Sequence, residues 1–238
     1  RRYAMRRVLR IFPLYWLVLA VNWFFTEVSP TRVFPTLPTD LWQQHMLMQA
    51  GKGPFWTIPV EFEYYLVIPF FALAVRALRG NIWAVTAFVA GAIAASSWLW
   101  PPSETPLNSL NLGYYLPVFL LGSYAAVLDD QFARTAAPKY EFFALGALGI
   151  VFLLFASVAG ALLGEEVDKA WQHHNYIGFG ALWSFVILAM LRSRESGWLV
   201  RLFSSVPLRV LGVISFSTYL WHGPVVRAVL LLGLPNAF

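Results

Sequence analysis

The segment WTIPVEFEYYLVIP, Trp56–Pro69, begins an apolar run that continues to Leu78 and decides the class of protein. Two carboxylates, Glu61 and Glu63, fall within the first two turns of this run. An ionised side chain in hydrocarbon costs roughly 2.5 to 3.5 kcal/mol on insertion scales, so such residues usually face a cavity or a partner. The segment therefore predicts a membrane helix that carries a polar site on one face.

The composition of the chain also indicates an integral membrane protein. Of its 238 residues, 59% are hydrophobic and only 12% are charged, whereas a soluble domain carries about 25% charged residues. The net charge is +5, but the basic residues lie at the ends of apolar runs, so membrane topology explains them better than nucleic-acid binding. Because cysteine is absent, disulfides, thiol nucleophiles and cysteine metal sites are excluded.

Seven apolar runs have about the length that a membrane helix needs, roughly 17 to 25 residues. The predicted fold class is therefore an all-α membrane protein, a polytopic helical bundle. The predicted spans lie at about Val8–Thr26, Phe55–Leu78, Ile82–Trp100, Leu112–Leu128, Phe142–Leu163, Tyr176–Leu191 and Leu208–Leu232.

The distribution of Lys and Arg between the loops predicts the orientation of the chain. Thirteen of these 17 residues fall on one side of the predicted membrane, and the other side has only Arg32, Lys52, Lys169 and Arg227. The positive-inside rule then places the N-terminus of this piece in the cytoplasm. We expect a multi-pass protein of the plasma (inner) membrane, with the lipid bilayer as a partner and no nucleic acid.

Three motifs carry polar groups that could perform chemistry, and the first is basic. Arg7 and Arg10 are three residues apart, so on a helix they share a face at the cytoplasmic boundary. Two guanidinium groups there could hold phosphates bidentately. They could equally anchor the helix in lipid headgroups.

The second motif is the acidic span. Glu61 and Glu63 are roughly 200° apart around a helix with about 3.6 residues per turn, so they do not face the same point. Glu61 shares its face with Thr57, Tyr64 and Tyr65, which makes it the better candidate for a site. A carboxylate satisfied by interhelical hydrogen bonds, or the proton carrier of a transporter, would fit the same residues.

The third motif is a polar stripe near the C-terminus. Ser215, Thr218, Tyr219 and His222 recur at i, i+3, i+4 and i+7 on an otherwise apolar helix. Such a stripe faces protein or a water-filled cavity. The stripe need not be catalytic. Its hydroxyl groups could instead serve helix packing, and its histidine could be structural.

The outer loops hold the other histidines. A short interfacial helix is predicted at Asp40–Gln49 with Asp40 as its N-cap, and His45 on it could reach an outer substrate. His173 and His174 could hold a metal, although a solvated loop is the simpler interpretation. No metal site is predicted.

Three stretches together resemble the motifs of the acyltransferase-3 family of multi-pass membrane acyltransferases. They are RRVLRIFPLYW from Arg6, FWTIPVEFEYYLVIP from Phe55 and VLGVISFSTYLWHGPV from Val210, and they follow the family's order. The resemblance implies an enzyme that transfers an acetyl or other short acyl group, but not an aminoacyl group, from acyl-CoA to a hydroxyl of a cell-surface carbohydrate. Acetyl-CoA is the expected donor.

The resemblance also implies roles for individual residues. Arg7 and Arg10 would contact the CoA phosphates, Glu61 would be the acid of the motif, and a channel would be lined or supported by Tyr65, Ser215, Tyr219 and His222. We add Trp56 and Tyr65 to the two arginines as candidates for substrate binding. The catalytic candidates are Glu61, Ser215, Tyr219 and His222.

The motifs depart from the family pattern at several points. Thr57 stands where Ser is usual, Pro59 falls inside the motif, and Phe216 replaces the usual Tyr. The resemblance also leads us to expect two earlier spans with a catalytic histidine, and about ten spans in all. We therefore expect residues 1–238 to form a single acyltransferase-like domain that is incomplete at both ends and inactive by itself.

Two other classes of protein remain open. A proton-coupled transporter or polysaccharide export component would use Glu61 and Glu63 as proton carriers. A non-catalytic sensor built on the same scaffold would need no base.

Overall fold

A computed structural model describes residues 2–25, 39–51, 53–131, 137, 139–155, 158, 160–161, 171–193 and 197–231. The elements found within these ranges are helices, which confirms the all-α fold class. They are α1 Arg2–Trp23, α2 Thr39–Met46, a 3₁₀ turn Gly53–Trp56, α3 Thr57–Ala77, α4 Ile82–Leu99, α5 Leu112–Gln131, α6 Lys139–Leu153, α7 Trp171–His174, α8 Tyr176–Leu191, α9 Trp198–Phe203 and α10 Val206–Leu231.

Each of the seven predicted spans coincides with one of these helices. Three of them, α3, α4 and α5, are long and apolar enough to cross a membrane, and α8 is apolar but shorter, with 16 residues. The fifth predicted span extends past the described end of α6, into residues that the structure describes only in part. The count of seven spans stays a prediction.

The short helix predicted between the first two spans is present, with one correction, whereas its position at the membrane interface stays a prediction. It runs over Thr39–Met46, so the backbone is already helical before Asp40, and Asp40 lies in the first turn rather than at the N-cap. The shift is of the size by which helix boundaries commonly vary.

The chain divides into two compact units. The first consists of Arg1–Leu66 and Arg209–Phe238, and the second of Val67–Leu208. The first unit therefore holds α1, α2, the N-terminal half of α3 and nearly all of α10.

The core of the first unit is built on one face of α1. Ile11, Tyr15, Val18 and Leu19 are buried there at helical spacing, and they pack with Phe55, Ile58 and Leu220 from the other elements. The Tyr15 hydroxyl donates to the main-chain carbonyl of His45 at 2.7 Å, which ties α2 to α1. Since lipid is as apolar as these side chains, close packing and such hydrogen bonds hold membrane helices together.

The second unit packs through two apolar clusters. Phe71, Val85, Val89 and Leu120 join α3, α4 and α5. Small residues, Ala144 and Ala189, face one another where α6 meets α8, with Leu199 of α9 beside them. Small side chains at such a crossing let the helix backbones approach closely.

Exposed tryptophans mark the two ends of α4. Trp83 and Trp98 each expose 80% of their surface. They are 15 positions apart, which corresponds to about 22 Å along a helix with a rise of about 1.5 Å per residue. Exposed tryptophans near both ends of an apolar helix are common in membrane spans and support the assignment of α4 as a span.

Candidate functional site

The three polar motifs meet at a cavity within the first unit. The cavity has a volume of about 420 Å³, which is within the usual range for small-molecule sites. The first motif contributes Arg10, the second contributes Thr57 and Glu61, and the third contributes Ser215 and Tyr219. Residues that are far apart in the sequence thus line one space, which we call the Glu61 cavity.

A hydrogen bond holds the carboxylate of Glu61 in place. Tyr65 lies one helical turn after Glu61, and its hydroxyl donates to the Glu61 Oε1 atom. The Arg7 guanidinium lies over the ring of Tyr65, with its Cζ atom 4.7 Å from the ring centroid, in a cation–π contact. The basic motif and the acidic motif are therefore joined through Tyr65.

Glu63 does not belong to the cavity. Its side chain is exposed, and it is not among the described residues that line the space beside Glu61. The two carboxylates thus point to different surroundings, as their spacing of two residues on a helix predicts.

A basic pocket adjoins the Glu61 cavity. Its volume is about 620 Å³, and it is lined by Tyr3, Arg6, Arg7 and Arg10. Arg7 also lies 5.5 Å from the ring centroid of Tyr3. Because Arg10 lines both spaces, the two are contiguous at this residue.

The arginines of this pocket have no acidic partner in the part of the chain that the structure describes. Among the described residues, no carboxylate lies within ion-pair distance of Arg6, Arg7 or Arg10. Guanidinium groups present forked donors that match phosphate geometry. The basic pocket can therefore bind a phosphorylated anion.

The stripe on α10 faces a further cavity of about 500 Å³. Ser215, Thr218, Tyr219 and His222 all line it, together with Leu211. The spacing that predicted a single polar face is thus reflected in the structure. Ser215 and Tyr219 also line the Glu61 cavity, so the two spaces share one wall.

The hydroxyl groups of the stripe differ in their hydrogen bonds. Ser215 Oγ donates to the carbonyl of Gly212 at 2.8 Å, and Thr218 Oγ1 donates to the carbonyl of Ile214 at 3.1 Å. Both protons are therefore used within α10. Tyr219 instead accepts a long hydrogen bond of 3.5 Å from Thr57 Oγ1, which leaves its own proton directed at no described acceptor.

His222 is exposed on α10 and lines the stripe cavity rather than the Glu61 cavity. Its Nδ1 atom is hydrogen-bonded to the main-chain carbonyl of Tyr219. Because a carbonyl can only accept, Nδ1 carries the proton in this bond, and Nε2 of the neutral ring is left with a lone pair. The ring can therefore accept a proton at Nε2.

The remaining candidate residues lie elsewhere. Trp56 ends the 3₁₀ turn before α3 and is not among the described residues that line the Glu61 cavity. The hypothesis that His45 reaches an outer substrate is wrong, because its side chain is fully buried with its ring edge against Phe55. Its place in the packing of α2 against α1 accounts for that burial.

His173 of α7 is bonded to α5 and to the loop between α4 and α5. Its ring is hydrogen-bonded to the Tyr114 hydroxyl at 3.0 Å and to the Thr105 carbonyl at 2.8 Å. Both ring nitrogens are thus engaged in structural bonds. In the part of the chain that the structure describes, no group of three His, Asp or Glu side chains could hold a metal, and Glu165, Glu166 and Asp168 lie outside that part.

Two features of the site were not singled out from the sequence. Tyr3 forms a wall of the basic pocket, and its spacing of four residues before Arg7 is the signal that could have indicated the contact. The contact between Thr57 and Tyr219 joins residues 162 positions apart, and no local pattern predicts it.

Comparison with known proteins gives one family and two relatives. The model of a family described as an acyltransferase domain, acyltransferase-3, matches residues 1–238. BcsY of Komagataeibacter xylinus, whose name describes a membrane-bound transacylase, is 27% identical over 180 residues, which cover 74% of this chain and 42% of BcsY. The peptidoglycan O-acetyltransferase OatA of Listeria monocytogenes is 26% identical over 178 residues, which cover 72% of this chain and 28% of OatA.

The chain thus spans less than half the length of these curated relatives. No solved structure gives a significant match.

Proposed function

Because the chain belongs to the acyltransferase-3 family of membrane proteins, we propose that it transfers an acetyl or other short acyl group from acyl-CoA to a hydroxyl of a cell-surface carbohydrate. The observation that carries the proposal is the Glu61 cavity, where a carboxylate, a guanidinium and a phenol line one space. Acyl transfer from a thioester needs a bound donor, a proton acceptor and a donor to the developing oxyanion. The first unit contains a candidate for each.

The reaction exchanges one bond for another. The acceptor hydroxyl oxygen attacks the thioester carbonyl carbon, a C–O bond forms, and negative charge develops on the carbonyl oxygen. The C–S bond then breaks. The hydroxyl proton passes through a base to the departing sulfur, so the products are an ester and free CoA.

The basic pocket is the proposed site for the donor's phosphates. CoA carries several phosphate groups, and Arg6, Arg7 and Arg10 offer three guanidinium groups without a described carboxylate partner. Arg10 also lines the Glu61 cavity. A donor held by its phosphates would therefore extend its thioester end toward Glu61.

Glu61 is proposed to orient the acceptor hydroxyl by accepting its hydrogen bond. The hydroxyl of Tyr65 occupies one carboxylate oxygen, which restricts the rotation of the carboxylate and leaves the other oxygen for the acceptor. A carboxylate already fixed by a neighbour loses less entropy when the substrate binds.

Tyr219 or Ser215 could donate a hydrogen bond to the oxyanion, and Tyr219 is the better candidate. Ser215 directs its proton to the Gly212 carbonyl, so it would have to break a helix-internal bond before it could donate. The Tyr219 hydroxyl donates no described hydrogen bond, and Thr57 Oγ1 lies beside its oxygen. Donors that are already aimed at the developing charge contribute most to catalysis.

The resemblance to the family assigns the catalytic base to a histidine of an earlier span, and His222 is the alternative proton acceptor that we propose among the described residues of the first unit. His45 is fully buried, whereas His222 is exposed to the stripe cavity and has a lone pair on Nε2. The cavity that His222 lines shares Ser215 and Tyr219 with the Glu61 cavity, so His222 lies on the same helix face as the proposed oxyanion donor.

A glycan comparison tests this function. Cells that express the protein from its complete gene are compared with cells that carry Glu61→Gln and with cells that carry Glu63→Gln, and the surface glycans are analysed by mass spectrometry. We expect the mass of one acetyl group on the glycan in the wild type and Glu63→Gln, and its loss in Glu61→Gln. An unmodified glycan in all three strains, together with substrate flux that depends on a proton gradient, would instead favour the transporter.

A further inference from the structure

A second basic site lies in the second unit and shares no residue with the Glu61 cavity. It is a groove of about 650 Å³ between the C-terminal half of α3 and the end of α5. Phe71 and Val75 of α3 and Val127 of α5 form its apolar walls, and Arg76 and Arg79 lie at its mouth. The groove is thus apolar along its length and cationic at one end.

The backbone at the mouth has an unusual conformation. Arg79 has φ of +53° and Gly80 has φ of +66°, so both lie in the left-handed region. The Gly80 amide donates to the Val75 carbonyl at 3.2 Å and the Arg79 amide donates to the Arg76 carbonyl at 3.0 Å, a pattern that ends helices. The first left-handed position of this pattern usually holds glycine, because a side chain there is strained.

This strained turn is held by α5. The Gln131 side chain donates a hydrogen bond to the Gly80 carbonyl. An arginine is therefore kept in a strained conformation at the mouth of the groove. Backbone strain that the surrounding structure maintains in this way suggests a functional role for the Arg79 side chain.

The charges at the mouth are available to a ligand. Arg76 and Arg79 are exposed, and no described carboxylate lies within ion-pair distance of either guanidinium. Asp130 of α5 stands on the same rim and also makes no described ion pair. Two guanidinium groups bind a phosphate strongly, and one carboxylate beside them disfavours a second negative charge.

These features together match one kind of ligand. Apolar walls do not suit a freely soluble anion, and two unpaired guanidinium groups do not suit a neutral lipid. A phosphodiester with a single negative charge, an acyl chain and a hydroxyl that can donate to Asp130 fits each part of the groove. Basic pockets between helices at the cytoplasmic side, where the Lys and Arg distribution predicts this mouth to be, bind anionic headgroups.

We propose that the groove binds one anionic phospholipid of the phosphatidylglycerol type. Arg76 and Arg79 bind its phosphate, Asp130 accepts from its glycerol headgroup, and an acyl chain lies against Phe71, Val75 and Val127.

Native mass spectrometry of the purified protein with added lipid tests this site. The probes are phosphatidylglycerol, phosphatidylcholine and a diacylglycerol that lacks the phosphate. We expect the protein to bind one phosphatidylglycerol at least about tenfold more tightly than the other two lipids, as charge-assisted hydrogen bonds to two arginines imply. Equal binding of diacylglycerol or phosphatidylcholine would overturn the proposal.

Two variants and a matched control locate the binding. Arg76→Gln/Arg79→Gln removes the phosphate ligands, and Ala126→Trp fills the groove from an exposed position on its wall. We expect each to lower phosphatidylglycerol binding at least about tenfold. The control, Arg201→Gln/Arg209→Gln, removes the same charge from exposed positions outside the groove and should bind as the wild type does.

Circular dichroism shows whether each variant is folded. If the arginine variant is not folded, the binding measured for Ala126→Trp decides the test. Binding by the folded groove variants at the level of the control would overturn the proposal.

Discussion

Removing one hydroxyl group from Tyr65 tests how the site holds Glu61. Tyr65→Phe deletes the group that donates to Glu61 Oε1. The ring stays, so the cation–π contact with Arg7, at 4.7 Å from Cζ to the ring centroid, is kept. The variant therefore separates the hydrogen bond to the carboxylate from the packing of the arginine.

The size of the expected effect follows from the kind of bond. A hydrogen bond to a charged group contributes roughly 1.5 to 3 kcal/mol. If that free energy is lost in the transition state, kcat/KM falls roughly 10- to 150-fold. Because Arg7 keeps its aromatic partner, we expect KM for acyl-CoA to change by less than about threefold, and the loss to fall mainly on kcat.

The assay follows labelled acetyl from acetyl-CoA into extracted surface glycan, with membranes from cells that express the complete gene. The control is Tyr140→Phe, which also removes one hydroxyl from a half-buried tyrosine but lies in the second unit, away from the site. The control should keep the wild-type rate. A wild-type kcat in Tyr65→Phe, at an equal amount of folded protein, would refute the role given to this hydrogen bond.

Four further variants test other parts of the account. Lysine cannot bind phosphate bidentately, so Arg7→Lys/Arg10→Lys should raise KM for acyl-CoA by about tenfold, and an unchanged KM in initial-rate measurements would argue against the donor site. Tyr219→Phe should lower kcat at least about tenfold through loss of an oxyanion donor, whereas Ser215→Ala should lower it less than about threefold, and kinetics that show the reverse order would assign the oxyanion to Ser215. Tyr15→Phe leaves a buried carbonyl without its donor and should destabilise the protein by about 1 to 3 kcal/mol, to be measured by denaturant unfolding in detergent, with no change contradicting the packing of α2 on α1.

The local features of this protein could be predicted from its sequence. Apolar runs of span length predicted each of the seven long helices, because the backbone in lipid has few alternatives to a helix. The spacing of Glu61 and Glu63 predicted that only one of them faces the site, and the i, i+3, i+4 and i+7 positions predicted the shared face of the α10 stripe. Each of these predictions depends on residues within one continuous segment of the chain.

Features that depend on a side-chain rotamer or on distant residues could not be predicted. The Ser215 proton is taken by the Gly212 carbonyl because of a rotamer choice, which the sequence does not specify. The burial of His45 results from the docking of α2 on α1, a contact between segments 30 residues apart. The groove at Arg76 and Arg79 likewise exists only because α5 packs beside the end of α3.

Cross-linking tests most directly whether the acidic motif and the α10 stripe, two of the three motifs, face one cavity. The chain has no cysteine, so engineered pairs can be read without background from its own thiols. Thr57→Cys/Tyr219→Cys joins side chains whose oxygens are 3.5 Å apart, and Thr57→Cys/Val213→Cys is the control, since Val213 is 83% exposed on α10. With a short thiol-reactive cross-linker in native membranes, we predict efficient linkage of the first pair and little of the second. Equal linkage of both pairs, or none of the first, would contradict the convergence of the motifs on the Glu61 cavity.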